Sequence, residues 1–376
     1  MPDLVAIDLP GGQAFVEHLR RIWDAGHAAL PLDQRLAGAA RRALLDALRP
    51  AAVVGPDGRS ALAGGVPVEE GDALVMATSG TTGVPKGVVL THAAVRASAV
   101  ATSARLGVDP GRHRWLSCLP LNHVGGLSVV CRALISGTGL DVLPGFEVAA
   151  VEERSGPDVL VSLVPTALAR LGGVPFHTVV LGGSAPPSGL PPGVVTTYGL
   201  TETGSGVVYD GRPLDGVEVR IGPGSQIFLR GPMLLRVYRD GSLPFETLPS
   251  EGGGWLPTGD AGAWDAEGRL VVSGRLSELI VTGGENVWPA PVEAVLRGHP
   301  LVADVVVAGR PQPEWGEEVV AWVIPADPGH PPTLDELRGV VRDTLAPYAA
   351  PRRLVLVDRF PRTSIGKVQR ALLPDA

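Results

Sequence analysis

The chain has 376 residues, 45% of them hydrophobic, and a formal net charge of −7 at pH 7. That length supports two or three domains with a substantial core, and 50 glycines and 36 prolines read as many loops rather than disorder. The negative charge and the lack of a basic run exclude the electrostatic footprint of a nucleic-acid binder, though not a local basic pocket for a nucleotide.

The opening segment, MPDLVAIDLPGG, carries two acids and no basic start followed by an apolar run. With no stretch of about 18 uncharged apolar residues anywhere, a soluble cytoplasmic protein without membrane insertion is expected. Phe15, Leu19, Ile22 and Trp23 fall at helical spacing, which predicts a helix over 13–29. A second helix is predicted over 33–48, closed by Pro50. From about residue 73, short apolar runs alternate with helical stretches. ALVMAT, RWLSCLP, VLVSLVP, TVVLGGS and VVTTYGL are the predicted strands, with helices at 93–105, 126–136 and 166–171. That alternation predicts an α/β domain with a largely parallel sheet. Cys118 and Cys131 lie in its apolar segments, the setting of buried, inert thiols, and no Cys-x-x-Cys spacing suggests structural zinc.

After about residue 210 the texture changes to short strands between Gly, Pro and Asp turns (GVEVRI, QIFLRG, RLVVSG), which predicts a small β subdomain. Beyond Arg275 comes strand LIVTGG, helix 289–297, strands ADVVVAG and EVVAWVIP, helix 333–345 and strand RRLVLVD. The expected division is therefore 1–275 and a compact α+β domain of 276–376.

The most specific segment is Thr78-Ser79-Gly80-Thr81-Thr82-Gly83-Val84-Pro85-Lys86-Gly87. Small, hydroxylated and glycine residues let N–H and O–H groups wrap a polyphosphate, and Lys86 adds a point charge. It is not a Gly-x-x-x-x-Gly-Lys-Ser/Thr loop, because Pro85 stands where the second glycine belongs and Gly87 follows the lysine. Likewise, GGSAP lacks the second glycine of a hydrolase nucleophile elbow, so Ser184 is a poor nucleophile.

This loop resembles the phosphate-binding loop of the adenylate-forming superfamily of acyl- and aryl-CoA ligases, luciferases and peptide-synthetase adenylation domains. Six further segments match the family in order: LPLNHVGG (119–126), VVLGGSAPP (179–187), TTYGLTETG (196–204), WLPTGDAGAWDAEGRL (255–270), GRLSELIVTGGENVWPAPVE (274–293) and PRTSIGKVQR (361–370). The resemblance implies the adenylate-forming fold, with ATP, Mg2+ and coenzyme A as reactants and cofactor and a carboxylic acid as the other substrate. It leaves a homodimer open.

Residue by residue, the resemblance gives Gly182, Gly183 and Ser184 to the adenine turn. Tyr198 and Gly199 flank the base, Thr201 offers phosphate a hydroxyl, and Glu202 is the Mg2+ carboxylate, a hard oxygen ligand. Asp260 and Arg275 match the ribose and phosphate contacts. Lys367 matches the lysine that enters the site during adenylation, where a fixed cation stabilises charge building on the phosphate oxygens. After that step the C-terminal domain is expected to rotate, withdrawing Lys367 and opening the path for CoA. The hinge position, usually Asp or Lys in the family, is Ser277.

His123 is either a satisfied structural histidine or the gate of the acyl site. Arg132 follows the apolar run LSVV, where an unpaired arginine is costly, so it holds either a structural salt bridge or a second substrate carboxylate. Only about 75 residues precede the phosphate loop, fewer than is typical of the family. That compactness, with LPLNHVGGLSVVCRAL, is similar to the short o-succinylbenzoate–CoA ligases of menaquinone synthesis. Ligases for another aryl or acyl acid, and a non-catalytic nucleotide-binding relative, are the alternatives; Lys367, Glu202 and Asp260 together argue against the latter.

Overall fold

The computed structural model describes every residue except 80–84, 174, 188, 249–251, 363–367 and 376. By contacts the chain forms two compact units. The first comprises Met1–Arg220, Phe228–Thr258 and Asp265–Leu270, and the second comprises Ile221–Ile227, Gly259–Trp264 and Val271–Ala376.

The first unit contains two seven-stranded sheets. One runs in spatial order Val237–Tyr238, Pro85–Thr91, Asp72–Ser79, Ala28–Pro31, Leu4–Ile7, Ala52–Gly55, Gly58–Ala61. The other runs Arg212–Pro213, Ser205–Tyr209, Val194–Leu200, Phe176–Leu181, Gly156–Leu163, Arg114–Ser117, Gly139–Val142. In the second sheet the five strands from Val194–Leu200 to Gly139–Val142 are parallel, as the alternating pattern predicts. The apolar runs of the three central strands, Phe176–Leu181, Gly156–Leu163 and Arg114–Ser117, are buried because a parallel sheet is covered on both faces.

The helices predicted at 93–105 and 126–136 occur as His92–Arg105 and Val124–Ser136. Thr91 caps the first, its hydroxyl oxygen accepting from the Ala94 N–H at 3.1 Å. Gly137, at φ 72°, ends the second in a left-handed turn.

The N-terminal prediction fails in part. The first helix, Gln13–Asp24, stops short of residue 29 because Gly26 turns the chain at φ 74°. Residues Ala28–Pro31 then form a strand parallel to Leu4–Ile7. The second helix starts at Gly38 rather than 33, since the Asp33 carboxylate accepts from the Arg35 N–H (2.9 Å) and guanidinium (2.8 Å) in a local turn. Four-residue strands such as LVAI are too short for periodicity to mark them.

The small β region after residue 210 consists of the strands Glu218–Ile221, Gln226–Arg230, Glu246–Leu248, Gly252–Trp264 and Leu270–Arg275. The second unit also carries the predicted α+β arrangement of sheet and helices. Glu285–Val287, Ile280–Thr282, Gly316–Pro325 and Val302–Gln312 lie side by side, Arg353–Leu356 pairs with Gly316–Pro325, and the helices are Pro289–Arg297 and Leu334–Thr344. Thr333 and Glu336 cap the latter reciprocally. Among the described residues, no helix is long and apolar enough to cross a membrane.

A buried carboxylate ties the second unit's tail to its core. Glu293 accepts from the Val307 N–H (2.9 Å), from Arg370 (2.7 Å) and from Arg297 (3.2 Å), while Arg370 also reaches Glu278 at 3.1 Å. Removing one partner of such a pair leaves the other buried and uncompensated. Glu293→Ala is therefore expected to cost about 3 kcal/mol in the unfolding of this unit. Urea melts of Glu293→Ala and wild type measure it; a loss within the noise of the melts would make the network dispensable.

Candidate active site

In the first unit, strands Asp72–Ser79 and Pro85–Thr91 form an antiparallel hairpin with Thr78 opposite Lys86 and Ser79 opposite Pro85. Gly80, Thr81, Thr82 and Gly83, the body of the predicted phosphate loop, lie outside the described residues. Thr78 donates through Oγ1 to the Lys86 carbonyl at 3.4 Å, holding the base of the hairpin. The Lys86 ammonium stands 4.9 Å from the Tyr238 ring centroid, and the Tyr238 hydroxyl donates to Glu202 Oε1 at 3.0 Å. The structure thus links Lys86 to Glu202 through one aromatic ring.

Thr201 and Glu202 begin a single 3-10 turn, Thr201–Thr203, directly after strand Val194–Leu200. The Leu200 N–H donates to Thr203 Oγ1 at 2.8 Å and fixes the turn. Gly199 permits the close approach here, since a Cβ on it would lie 2.2 Å from the Ser205 carbonyl oxygen. Tyr198 sits opposite Val208 in the same ladder. Gly182, Gly183 and Ser184 follow the neighbouring strand, Phe176–Leu181, with Gly183 at φ 88° and Ser184 exposed. These segments leave the carboxyl ends of adjacent parallel strands, where open α/β sheets place ligand crevices.

Glu202 has one carboxylate oxygen engaged by Tyr238. Among the described residues no group of three or more His, Cys, Asp or Glu could hold a metal. A lone carboxylate fits Mg2+ whose other ligands are phosphate oxygens and water, the usual state of that ion in nucleotide sites.

Arg132 lies on the helix Val124–Ser136 and is 2% exposed. Its guanidinium reaches Ser162 Oγ (3.4 Å), Tyr209 Oη (3.4 Å) and Ser205 Oγ, and stacks 5.2 Å from the Trp115 ring centroid. Its Nε has no partner among the described residues. None of these contacts is a carboxylate, so the structural salt bridge considered from sequence is not found among the described residues. The same side chain lines a cavity whose walls include Leu74, Leu90, Val95, Leu127, Ser128 and Cys131. Burying an arginine without a counter-ion is costly, and polar neutral neighbours offset only part of that cost.

His123 is the residue before this helix, 3.1 Å from the Asn122 side-chain nitrogen. Burial first, and then the Arg35 charge, hold its pKa below the ordinary value, so the ring is neutral at pH 7.

The second unit holds Asp260 and Arg275, which ion-pair at 2.8 Å. Lys367 lies outside the described residues. Sequence reasoning missed Tyr238 and the Ser162–Ser205–Tyr209–Trp115 surround of Arg132. Those five residues come from four strands, Ser205 and Tyr209 sharing one, and nothing local to GPMLLRVYRDG marks its tyrosine.

Residues 61–229 match the family model of the AMP-binding enzymes, and residues 291–367 match that of the AMP-binding enzyme C-terminal domain. The chain belongs to the AMP-binding, adenylate-forming enzyme family. It is 41% identical over 372 residues to a probable 2-succinylbenzoate–CoA ligase of Mycobacterium tuberculosis, covering 90% of this chain and 96% of that protein. The 2-succinylbenzoate–CoA ligase of Bacillus subtilis is 34% identical over 342 residues, 81% of this chain and 69% of that protein. Among solved structures, o-succinylbenzoate CoA synthetase from Bacillus subtilis in complex with the acyl-adenylate intermediate OSB-AMP aligns with a TM-score of 0.86 at 29% identity, covering 100% of this chain and 88% of that one.

The two cysteines bear on handling this site. Burial pushes both the Cys118 and the Cys131 thiol up to about 12, leaving almost no thiolate at pH 8. Native protein is expected to resist a disulfide reagent such as DTNB at pH 8 and to yield two thiols only in denaturant. Rapid native labelling of Cys131 would show that its cavity opens to solvent.

Proposed function

We infer that this chain is an AMP-forming acid–thiol ligase that converts o-succinylbenzoate, ATP and CoA to o-succinylbenzoyl-CoA, AMP and pyrophosphate. In the first half-reaction a substrate carboxylate oxygen attacks the α-phosphorus of ATP. The bond to the bridging oxygen breaks, pyrophosphate leaves, and a mixed anhydride with AMP forms. In the second, the CoA thiolate attacks the acyl carbon and AMP departs on its phosphate oxygen. A bound Mg2+ supplies charge neutralisation across the phosphate oxygens.

The roles follow from residue chemistry. Lys86 and the hydroxyls of Thr78, Ser79, Thr81, Thr82 and Thr201 hold the phosphates, and Gly80 and Gly83 belong to the same loop by sequence. Glu202 holds the metal. Gly182, Gly183, Ser184, Tyr198 and Gly199 receive the adenine, and Asp260 with Arg275 the ribose. Lys367 supplies the cation for the adenylation step. His123, neutral, guards the acid's entry. Buried thiols and the use of ATP and CoA support a cytoplasmic setting.

One observation carries the choice of acid: Arg132, a buried cation with no carboxylate partner among the described residues, on the wall of a small, otherwise largely apolar cavity that would have to widen to admit an acid. An aromatic acid with a second carboxylate supplies the missing charge. The assay is pyrophosphate release against a panel of carboxylic acids, with and without CoA. Arg132→Ala is expected to lose about 2–4 kcal/mol of kcat/KM toward o-succinylbenzoate, and far less toward the analogue lacking the ring carboxylate. A coupling near zero in that cycle would make Arg132 structural. Inactivity of the wild type on o-succinylbenzoate would overturn the choice of acid while sparing the ligase reading.

The division of labour is open to a second test. Lys367→Ala is expected to abolish adenylate formation but to spare thioester formation from pre-made acyl-adenylate and CoA. Equal losses in both half-reactions would assign the lysine to both steps.

A further inference from the structure

The reading of Lys86 and Glu202 leaves Tyr238 unexplained, although it touches both. Its position is fixed from either side. Arg236 binds the buried Asp72 carboxylate with two bonds of 2.9 Å, and Arg239 donates to the carbonyls of Leu48 (3.1 Å), Pro67 (2.8 Å) and Val66. The intervening strand Val237–Tyr238 pairs with the Lys86-bearing strand, Tyr238 opposite Val88. Backbone bonds from Arg236 N–H to Val89 (2.9 Å) and from Arg239 N–H to Gly87 (2.7 Å) complete the clamp. A side chain held this firmly can impose its geometry on its neighbours.

We propose that Tyr238 is a positioning residue of the ATP–Mg2+ subsite: its hydroxyl orients the Glu202 carboxylate toward the divalent cation, and its ring holds the Lys86 ammonium toward the phosphates. The inference rests on the metal and phosphate roles given above to Glu202 and Lys86. A carboxylate with one oxygen engaged by a fixed donor presents the other in one direction, as partners behind a metal ligand do. An ammonium resting on an aromatic face loses less freedom when a phosphate arrives. An ordinary phenol is protonated near neutral pH, so the Tyr238 hydroxyl has a proton to donate to Glu202.

The two contacts separate by substitution. Tyr238→Phe keeps the ring and removes the hydroxyl, whereas Tyr238→Leu removes both. Mn2+ serves as the probe, titrated by EPR into enzyme with ATP, and ATP binding in EDTA is measured by calorimetry. Tyr238→Phe is expected to weaken Mn2+ about tenfold while leaving metal-free ATP binding within about twofold of wild type. Tyr238→Leu is expected to weaken metal-free ATP binding as well, by roughly threefold. A structural role would instead lower the melting temperature of both variants without separating metal from ATP. Glu202→Gln is the reference. If it weakens Mn2+ and Tyr238→Phe does not, the positioning role is overturned and the metal reading stands. If Glu202→Gln leaves Mn2+ binding unchanged, the metal reading itself falls, and with it the role of Tyr238.

Discussion

Parallel strands all run the same way, so their carboxyl ends lie along one edge of the sheet, and that edge is where polar chain can emerge. In the second sheet of the first unit, Phe176–Leu181 and Val194–Leu200 lie side by side and parallel. The segments that leave their carboxyl ends, Gly182–Ser184 and Thr201–Glu202, are therefore neighbours although some 17 residues separate them in sequence. Parallel pairing in this way gathers nucleotide-binding candidates that no local motif would bring together. The glycines at these exits serve the same constraint, for Gly199 lies where a methyl group would strike the backbone of the next strand.

Charge in the first unit is arranged on two levels. Structural arginines are satisfied in place: Arg236 by Asp72 and Glu69, and Arg239 by three backbone carbonyls. Arg132 differs, because its partners are hydroxyls and an aromatic face. Neutral donors and acceptors hold a guanidinium in orientation without neutralising it, which leaves its field available to a ligand. Family membership defines the chemistry of adenylation, and Arg132 is a buried cation with no carboxylate partner among the described residues.

The second unit uses buried charge for a different purpose. Glu293 is matched by Arg297 and Arg370, and Arg370 is matched again by Glu278. That network anchors the chain just after residues 363–367 to the helix Pro289–Arg297 and to the turn Leu276–Glu278. A fully compensated network adds rigidity and offers nothing to a ligand, in contrast to Arg132.

Much of the architecture was legible from residues alone. The apolar runs of the second sheet, the helices at 93–105 and 126–136, found as His92–Arg105 and Val124–Ser136, and the α+β order beyond Arg275 all follow from periodicity and turn residues. The adenylate-forming chemistry is written in contiguous motifs, because loops that wrap phosphates need glycine and hydroxyls at adjacent positions. The N-terminal strands were not legible, since four apolar residues carry no period, and whether Ala28–Pro31 continues a helix or enters a sheet depends on Gly26 and on the strands already waiting there. Nor could the sequence say what Arg132 meets, or that Tyr238 joins Lys86 to Glu202. The hydrogen bonds among those contacts link positions 30 to 77 residues apart around Arg132, and 36 apart between Tyr238 and Glu202. Local chemistry is a property of neighbours in the chain, whereas the partner of a buried charge is chosen only when the strands are packed.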